Sequence, residues 1–197
     1  IVRGDPRVVL RAWSVAPPEW IQNAPAAMTA ALGHLAQSYG LHHEGGEWFE
    51  RAGRDGYEPA RCLIRAALQA SAAGDIDRVK ALLGTAQTIE DGPVVRAMLA
   101  WIEFDWATIL ATINDEIAID DPLAVSPYLA ALQQNGQGDD AITFLRKYIA
   151  RHEHHAGLAL TLSRLLSERS THSGSADRQQ RSEERRVGKE CRSRWSP

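Results

Sequence analysis

The stretch ARCLIRAALQASAAGDIDRVKALLGTA, residues 60–86, decides the fold class of this chain. Its first half carries small and apolar residues at spacings of three and four, which predicts a helix. Gly74 then marks a tight turn, since a residue without Cβ adopts a positive φ at little cost. The residues after it form one apolar stripe at helical spacing: Ile76, Val79, Leu82, Leu83 and Ala86. The stretch therefore predicts a helical hairpin.

The same hairpin pattern recurs along the chain. Gly40 lies 34 residues before Gly74 and has a similar helical run on each side. Another copy surrounds Gly136, and Pro127 is expected in the first turn of its first helix, where the missing N–H costs little. A shorter copy fits in between, with helices over 94–104 and 106–117 joined at Asp105. A period near 34 residues is typical of stacked helix pairs.

Helix breakers separate the predicted hairpins. Proline cannot continue a helix, and it disfavours the helical conformation of the residue before it. The breakers are Pro25, Pro59, Gly92-Pro93 and Asp121-Pro122. One more helix is expected over 156–169, and no segment shows the two-residue alternation of a strand over a useful length. We therefore expect an all-α fold without a sheet in 25–170.

The repeated positions carry a family resemblance that spans roughly residues 25–170. The chain resembles tetratricopeptide repeats, and the segment Trp48–Ala52 with Gly56 and Ala60 is also similar to the related Sel1-like repeat. The matching positions in the first unit are Leu32, Gly33, Ala36, Gly40, Gly45, Phe49 and Ala52. Those in the second and last units are Gly74, Val79, Leu83, Ala86, Leu129, Gly136, Ala141 and Leu145.

The resemblance implies antiparallel helix hairpins stacked as a solenoid, with a groove lined by the first helix of each unit. It also implies that ligands touch polar residues of those first helices, namely His34, Gln37, Arg61 and Gln133. Because a guanidinium can clamp a carboxylate with two hydrogen bonds, Arg61 is a candidate for binding an acidic peptide. Replacing it with alanine would then weaken binding by roughly 1–3 kcal/mol.

Both ends of the chain differ from the repeats. Residues 1–24 are expected to hold the end of a preceding helical unit, 25–172 the repeats, and 173–197 a disordered tail. Within that tail, RSEERRVGKECRSRWSP at 181–197 is similar to the in-frame translation of a common sequencing adapter, and we exclude it from the fold. The segment APPEWIQNAP at 16–25 is similar to the Pro-Glu segments between helical repeats of large bacterial signalling ATPases and regulators.

Composition excludes several classes of function. Without residues 181–197, Lys+Arg falls from 22 to 16 and Asp+Glu from 25 to 22, so the net charge changes from −3 to −6. An acidic segment is poorly suited to nucleic acid. No apolar window approaches the ~18 residues of a membrane span, and no signal peptide is recognisable. Outside the tail Cys62 is the only cysteine, so it predicts a buried thiol rather than a disulfide.

Three residue groups could carry chemistry, and each has a simpler interpretation. His152 and His155 have the spacing of helical metal ligands, and His42 and His43 form a second group, but solvated helix ends explain them as well. The acidic pairs Asp115-Glu116, Asp120-Asp121 and Asp139-Asp140 fit helix caps better than a catalytic dyad. Trp48, Trp101 and Trp106 could line a binding groove or pack between helices.

The sequence therefore favours a non-enzymatic, cytoplasmic scaffold that binds a protein or peptide, without cofactor, metal, nucleic acid or membrane. It would be a segment of a larger bacterial-type regulator or signalling ATPase. Two alternatives remain open, namely an accessory helical domain of an enzyme whose catalytic part lies elsewhere and a structural spacer without a ligand.

Overall fold

The computed structural model describes residues 23–152, 157–167 and the single positions 8, 12, 13, 15 and 169. Those residues contain helices and turns and no strand, which confirms the all-α class. The chain divides into two compact units, Ile1–Ala131 and Leu132–Pro197. Most of the preceding unit expected in 1–24, and all of the tail expected from 173 onward, lie outside the described residues.

The first unit contains the helices α1 to α7 and most of α8. Their bounds are α1 Ala26–Ser38, α2 His42–Arg54, α3 Pro59–Ala72, α4 Ile76–Ile89, α5 Pro93–Ile102, α6 Trp106–Thr112, α7 Asp115–Asp120 and α8 Pro122–Gln134. From α1 to α6 each helix packs against the next one in sequence, and α3 also contacts α5. Neighbours joined by three or four residues run antiparallel, so these contacts are those of stacked hairpins.

Four hairpin turns share one hydrogen-bonding pattern. In the turn between α3 and α4, the Asp75 N–H donates to the Ala70 carbonyl over 2.9 Å and the Gly74 N–H to the Ser71 carbonyl over 3.0 Å. This is the Schellman motif, in which the residue that follows the helix C-cap takes a left-handed backbone. That residue is Gly40, Gly74 or Gly136 in three of the turns, with φ of 70°, 81° and 72°. The turns predicted at these glycines are confirmed.

The fourth turn has the same pattern with a different residue in it. The Asp105 N–H donates to the Ala100 carbonyl over 2.9 Å, and Phe104 takes the left-handed position with φ of 58°. The left-handed residues of these four hairpin turns lie at 40, 74, 104 and 136, which are 34, 30 and 32 residues apart. The turn expected near Asp105 is therefore confirmed, with Asp105 capping the next helix through a bond from the Thr108 N–H.

Two helix boundaries differ from those predicted. Helix α8 begins at Pro122 rather than near Pro127, so Pro127 lies inside the helix and not in its first turn. The helix expected over 106–117 is broken into α6 and α7, because the Asn114 side chain accepts the Ile117 N–H over 3.0 Å and starts a new helix. An Asn side chain that bonds to nearby backbone competes with helix continuation.

The first hairpin shows how small residues let the helices approach. Phe49 on α2 is fully buried, and a Cβ added at Gly33 on α1 would lie 2.9 Å from its ring. That distance is below van der Waals contact, so no larger residue fits there without moving the ring. The core continues through α3 and α4, where Ile64 and Leu83 are 1% and 2% exposed. Leu83 is therefore buried, as predicted.

The second unit contains the end of α8, a turn at Gly136, the helix α9 (Gly138–Arg151) and a further helix, α10, over 157–167. One side of α9 is buried, and Leu145, predicted to be buried, is fully so. The buried residues of α9 are Ala141, Ile142, Phe144, Leu145 and Tyr148. On α10, Leu165 is buried and Leu160 is exposed. The helix expected over 156–169 is thus confirmed over 157–167.

Candidate functional site

An apolar cleft opens between three helices of the first unit and has a volume of about 420 Å³. We call it the α3–α5 cleft. Helix α3 supplies Ile64, Ala67, Leu68 and Ser71, and α4 supplies Ile76, Val79 and Leu83. Helix α5 and the turn after it supply Met98, Trp101, Ile102 and Phe104. Cavities of 300–1,000 Å³ with mainly apolar walls are the usual size and character of binding sites.

The mouth of the cleft carries apolar groups that face solvent. Phe104 is 71% exposed and Ile76 is 49% exposed, although deeper lining residues such as Leu83 are buried. The Phe104 ring lies 5.7 Å from the Trp106 ring in an edge-to-face arrangement. Trp101 is half-buried and packs against the core as well as lining the cleft, so it fits both interpretations of the tryptophans. Large apolar groups exposed together are typical of interaction sites.

Arg61 on α3 is held by the carboxylate of Asp121, the residue between α7 and α8. Its two terminal nitrogens donate to the two oxygens of Asp121 over 2.7 and 3.0 Å, and Glu58 lies 3.5 Å from its Nε. Burial alone would lower the pKa of Arg61, but the hydrogen bonds and charge of Asp121 raise it overall. The guanidinium fork proposed for a peptide carboxylate therefore already clamps Asp121.

The surroundings of Arg61 are strongly acidic. A second cleft of about 420 Å³ lies beside it. Four carboxylates line this second cleft, namely Glu90, Glu116, Asp120 and Asp121. An acidic peptide would have to displace Asp121 and approach the other three carboxylates. The binding of an acidic peptide at Arg61 stays a prediction, and the structure adds a competitor that the sequence did not indicate.

We expect the Arg61–Asp121 pair to couple by about 1–2 kcal/mol, more than the 0–1 kcal/mol of an exposed pair, because it is bidentate and half-buried. A double-mutant cycle of Arg61→Gln and Asp121→Asn, read by urea unfolding, measures this coupling. Asparagine keeps the bond that the Asp121 side chain accepts from the Leu123 N–H, so the start of α8 is preserved. A coupling below about 0.3 kcal/mol would contradict the expectation.

The other predicted groove residues occupy different surroundings. His34 and Gln37 lie one turn apart on α1, and Gln37 is exposed. The His34 ring packs edge-on against Phe49 at 5.0 Å, and burial together with nearby Arg65 lowers the pKa of His34. Gln133 lies in the second unit, near the end of α8, and is half-buried. A ligand role of His34, Gln37 and Gln133 stays a prediction.

The described histidines that were candidate metal ligands contact other side chains, and the cysteine is buried. His42 Nδ1 lies 2.9 Å from the Gln69 side-chain oxygen, and exposed His43 lies 3.3 Å from Glu47. His154 and His155 lie outside the described residues, in which no group of three potential metal ligands occurs. Cys62 is 2% exposed, and burial raises the pKa of its thiol, which confirms the buried cysteine.

Sequence reasoning missed Phe104, which lies at the mouth of the α3–α5 cleft. The signal was present, since the turn between α5 and α6 lies at the repeat spacing but lacks the glycine of the other turns. Asp121 was singled out as an acidic cap, but its bond to Arg61 joins residues 60 positions apart, which no local pattern indicates.

No protein family, curated protein or solved structure matches this chain. The fold and the cleft therefore carry the functional argument. None of the helices in the described ranges is long and apolar enough to cross a membrane.

Proposed function

We propose that this chain is a tetratricopeptide-like, non-enzymatic scaffold of the cytoplasm that binds a protein partner in the α3–α5 cleft. One observation carries the proposal. Phe104 takes the left-handed backbone that glycine takes in the equivalent turns at 40, 74 and 136. A bulky residue there costs roughly 1–2 kcal/mol, and its ring is 71% exposed instead of being buried in the core.

Backbone strain of this kind supports a functional role when the fold itself does not require the strained residue. Glycine would satisfy the same turn without the steric cost, as it does in the turn between α3 and α4. The exposed ring lies at the mouth of the cleft, beside Trp101 and Ile76. Phe104 contacts the Trp106 ring but is still 71% exposed, and a bound partner would bury that exposed area. A spacer without a ligand has no reason to keep the ring there.

The test selects ligands for the full chain from a random-peptide display library and measures their affinity for variants. Phe104→Ala and Phe104→Gly should each weaken a selected peptide at least tenfold, because both remove the ring. The free energy of unfolding of the glycine variant should exceed that of the alanine variant by about 1 kcal/mol, because only alanine retains the backbone strain.

The control removes an exposed apolar side chain elsewhere. Ile89 at the end of α4 is 51% exposed and does not line the cleft, so Ile89→Ala should change affinity less than twofold. Enrichment of no peptide, or equal affinities for all variants, would favour the spacer and refute the proposal.

A further inference from the structure

We infer that the α3–α5 cleft takes an amphipathic α-helix whose apolar stripe is flanked by lysine or arginine. The inference rests on the proposed function and specifies the chemistry of the partner. Two properties of the cleft carry it: walls that offer very few hydrogen-bonding groups, and exposed acids next to each of the two apolar residues at its mouth.

The walls favour a helix over an extended peptide. They are formed by helices, whose backbone N–H and C=O groups bond within each helix. Among the lining side chains, only Ser71 and Trp101 carry a hydrogen-bonding group. An extended peptide would bury main-chain polar groups here without enough partners, and each unpaired group costs about 1–3 kcal/mol. A helix satisfies its own backbone and presents apolar side chains at spacings of three and four.

The mouth of the cleft favours a cationic flank. Ile76 and Phe104 are the exposed apolar residues there, and each is bracketed by two acids in the sequence. Asp75 and Asp77 flank Ile76, and Glu103 and Asp105 flank Phe104; all four are exposed. The turn from α3 to α4 and the turn from α5 to α6 lie at the same end of the stack, because α3 and α5 run in the same direction.

Four acids at this edge face two cations that lie near them along the chain, Arg78 and Lys80. Arg78 on α4 is bonded to Glu50 of α2 and also acts electrostatically on Asp75, so it compensates the edge only in part. Lys80 is exposed one turn further along α4. Hydrogen bonds from Thr108 lower the pKa of Asp105, which keeps that carboxylate ionised at neutral pH. Lysine or arginine beside the stripe of a bound helix would therefore meet carboxylates next to both apolar residues of the mouth.

The experiment uses two synthetic 18-residue peptides with the same leucine stripe, one with lysine and one with glutamate at every flanking position. Fluorescence anisotropy with the full chain at 50 mM salt should give at least tenfold tighter binding of the lysine peptide, which is about 1.4 kcal/mol. The difference in affinity between the lysine and glutamate peptides should decrease at 300 mM salt, because exposed charges are screened. A Phe104→Ala variant should weaken binding of the lysine peptide at least tenfold.

Charge variants distinguish the effect of the acids next to Ile76 and Phe104 from the effect of the general negative charge of the protein. Asp77→Asn, Glu103→Gln and Asp105→Asn together should remove most of the preference for lysine, and asparagine at 105 retains the cap of α6. Binding of both peptides at equal affinity, or preference for glutamate, would overturn the inference and leave the proposed function standing. If neither peptide binds the original protein more tightly than it binds the Phe104→Ala variant, the inference is refuted. Failure of the library selection would instead refute the proposed function.

A matched control removes the same number of charges at the other end of α4 and beyond. Glu90→Gln, Asp91→Asn and Glu116→Gln replace three exposed acids that are not adjacent in sequence to Ile76 or Phe104. This variant should keep the preference for lysine within about twofold; an equal loss in both triple variants would overturn the inference. Concentration-dependent self-association that is lost in Phe104→Ala would identify a second copy as the occupant and also overturn it.

Discussion

Replacing Phe49 with alanine is expected to lower the free energy of unfolding by about 3–5 kcal/mol. The ring is fully buried between helices, with the His34 ring edge-on at 5.0 Å and the Arg65 guanidinium 5.9 Å from its centroid. Its removal would leave a cavity against Gly33, which has no side chain to fill it. Because the helices are pinned by their other contacts, the cavity can collapse only in part.

Urea unfolding followed by far-ultraviolet circular dichroism measures this loss. Tyr57→Ala is the control, since Tyr57 is an aromatic residue of the same unit that is 38% exposed, and its removal should cost much less. A loss below about 1 kcal/mol for Phe49→Ala would show that Phe49 is not in a close-packed core.

Leu83→Ala and Leu145→Ala are each expected to cost about 2–5 kcal/mol. Leu83 in the first unit is 2% exposed and Leu145 in the second is fully buried, so both variants lose packed methyl groups and create cavities. Thermal and urea unfolding of the single variants measure the two losses.

An exposed leucine provides the comparison. Leu160 on α10 is 72% exposed, so Leu160→Ala removes the same atoms without emptying a core and should stay within about 0.5 kcal/mol of the original. Equal losses for Leu160→Ala and Leu145→Ala would mean that the cost comes from helix formation rather than from packing.

Local patterns in the sequence determined the class of the fold and most of its turns. Gly40, Gly74 and Gly136 marked Schellman turns that the structure contains, because a positive φ is a property of one residue and its neighbours. Helical spacing similarly indicated that Leu83 and Leu145 would be buried. The break after α6 had a local cause in Asn114, but the apolar run through it favoured one continuous helix.

The candidate site depended on contacts between distant residues, and only the tertiary structure decided it. Arg61 had the chemistry to clamp a ligand, but the junction of α7 and α8 brings Asp121 to its guanidinium from 60 residues away. Phe104 lies at the mouth of a cleft whose walls come from three helices, so the sequence of any single helix does not indicate the cleft. Periodicity determines which face of a helix is apolar, whereas the position of its neighbours determines which part of that face stays open to a partner.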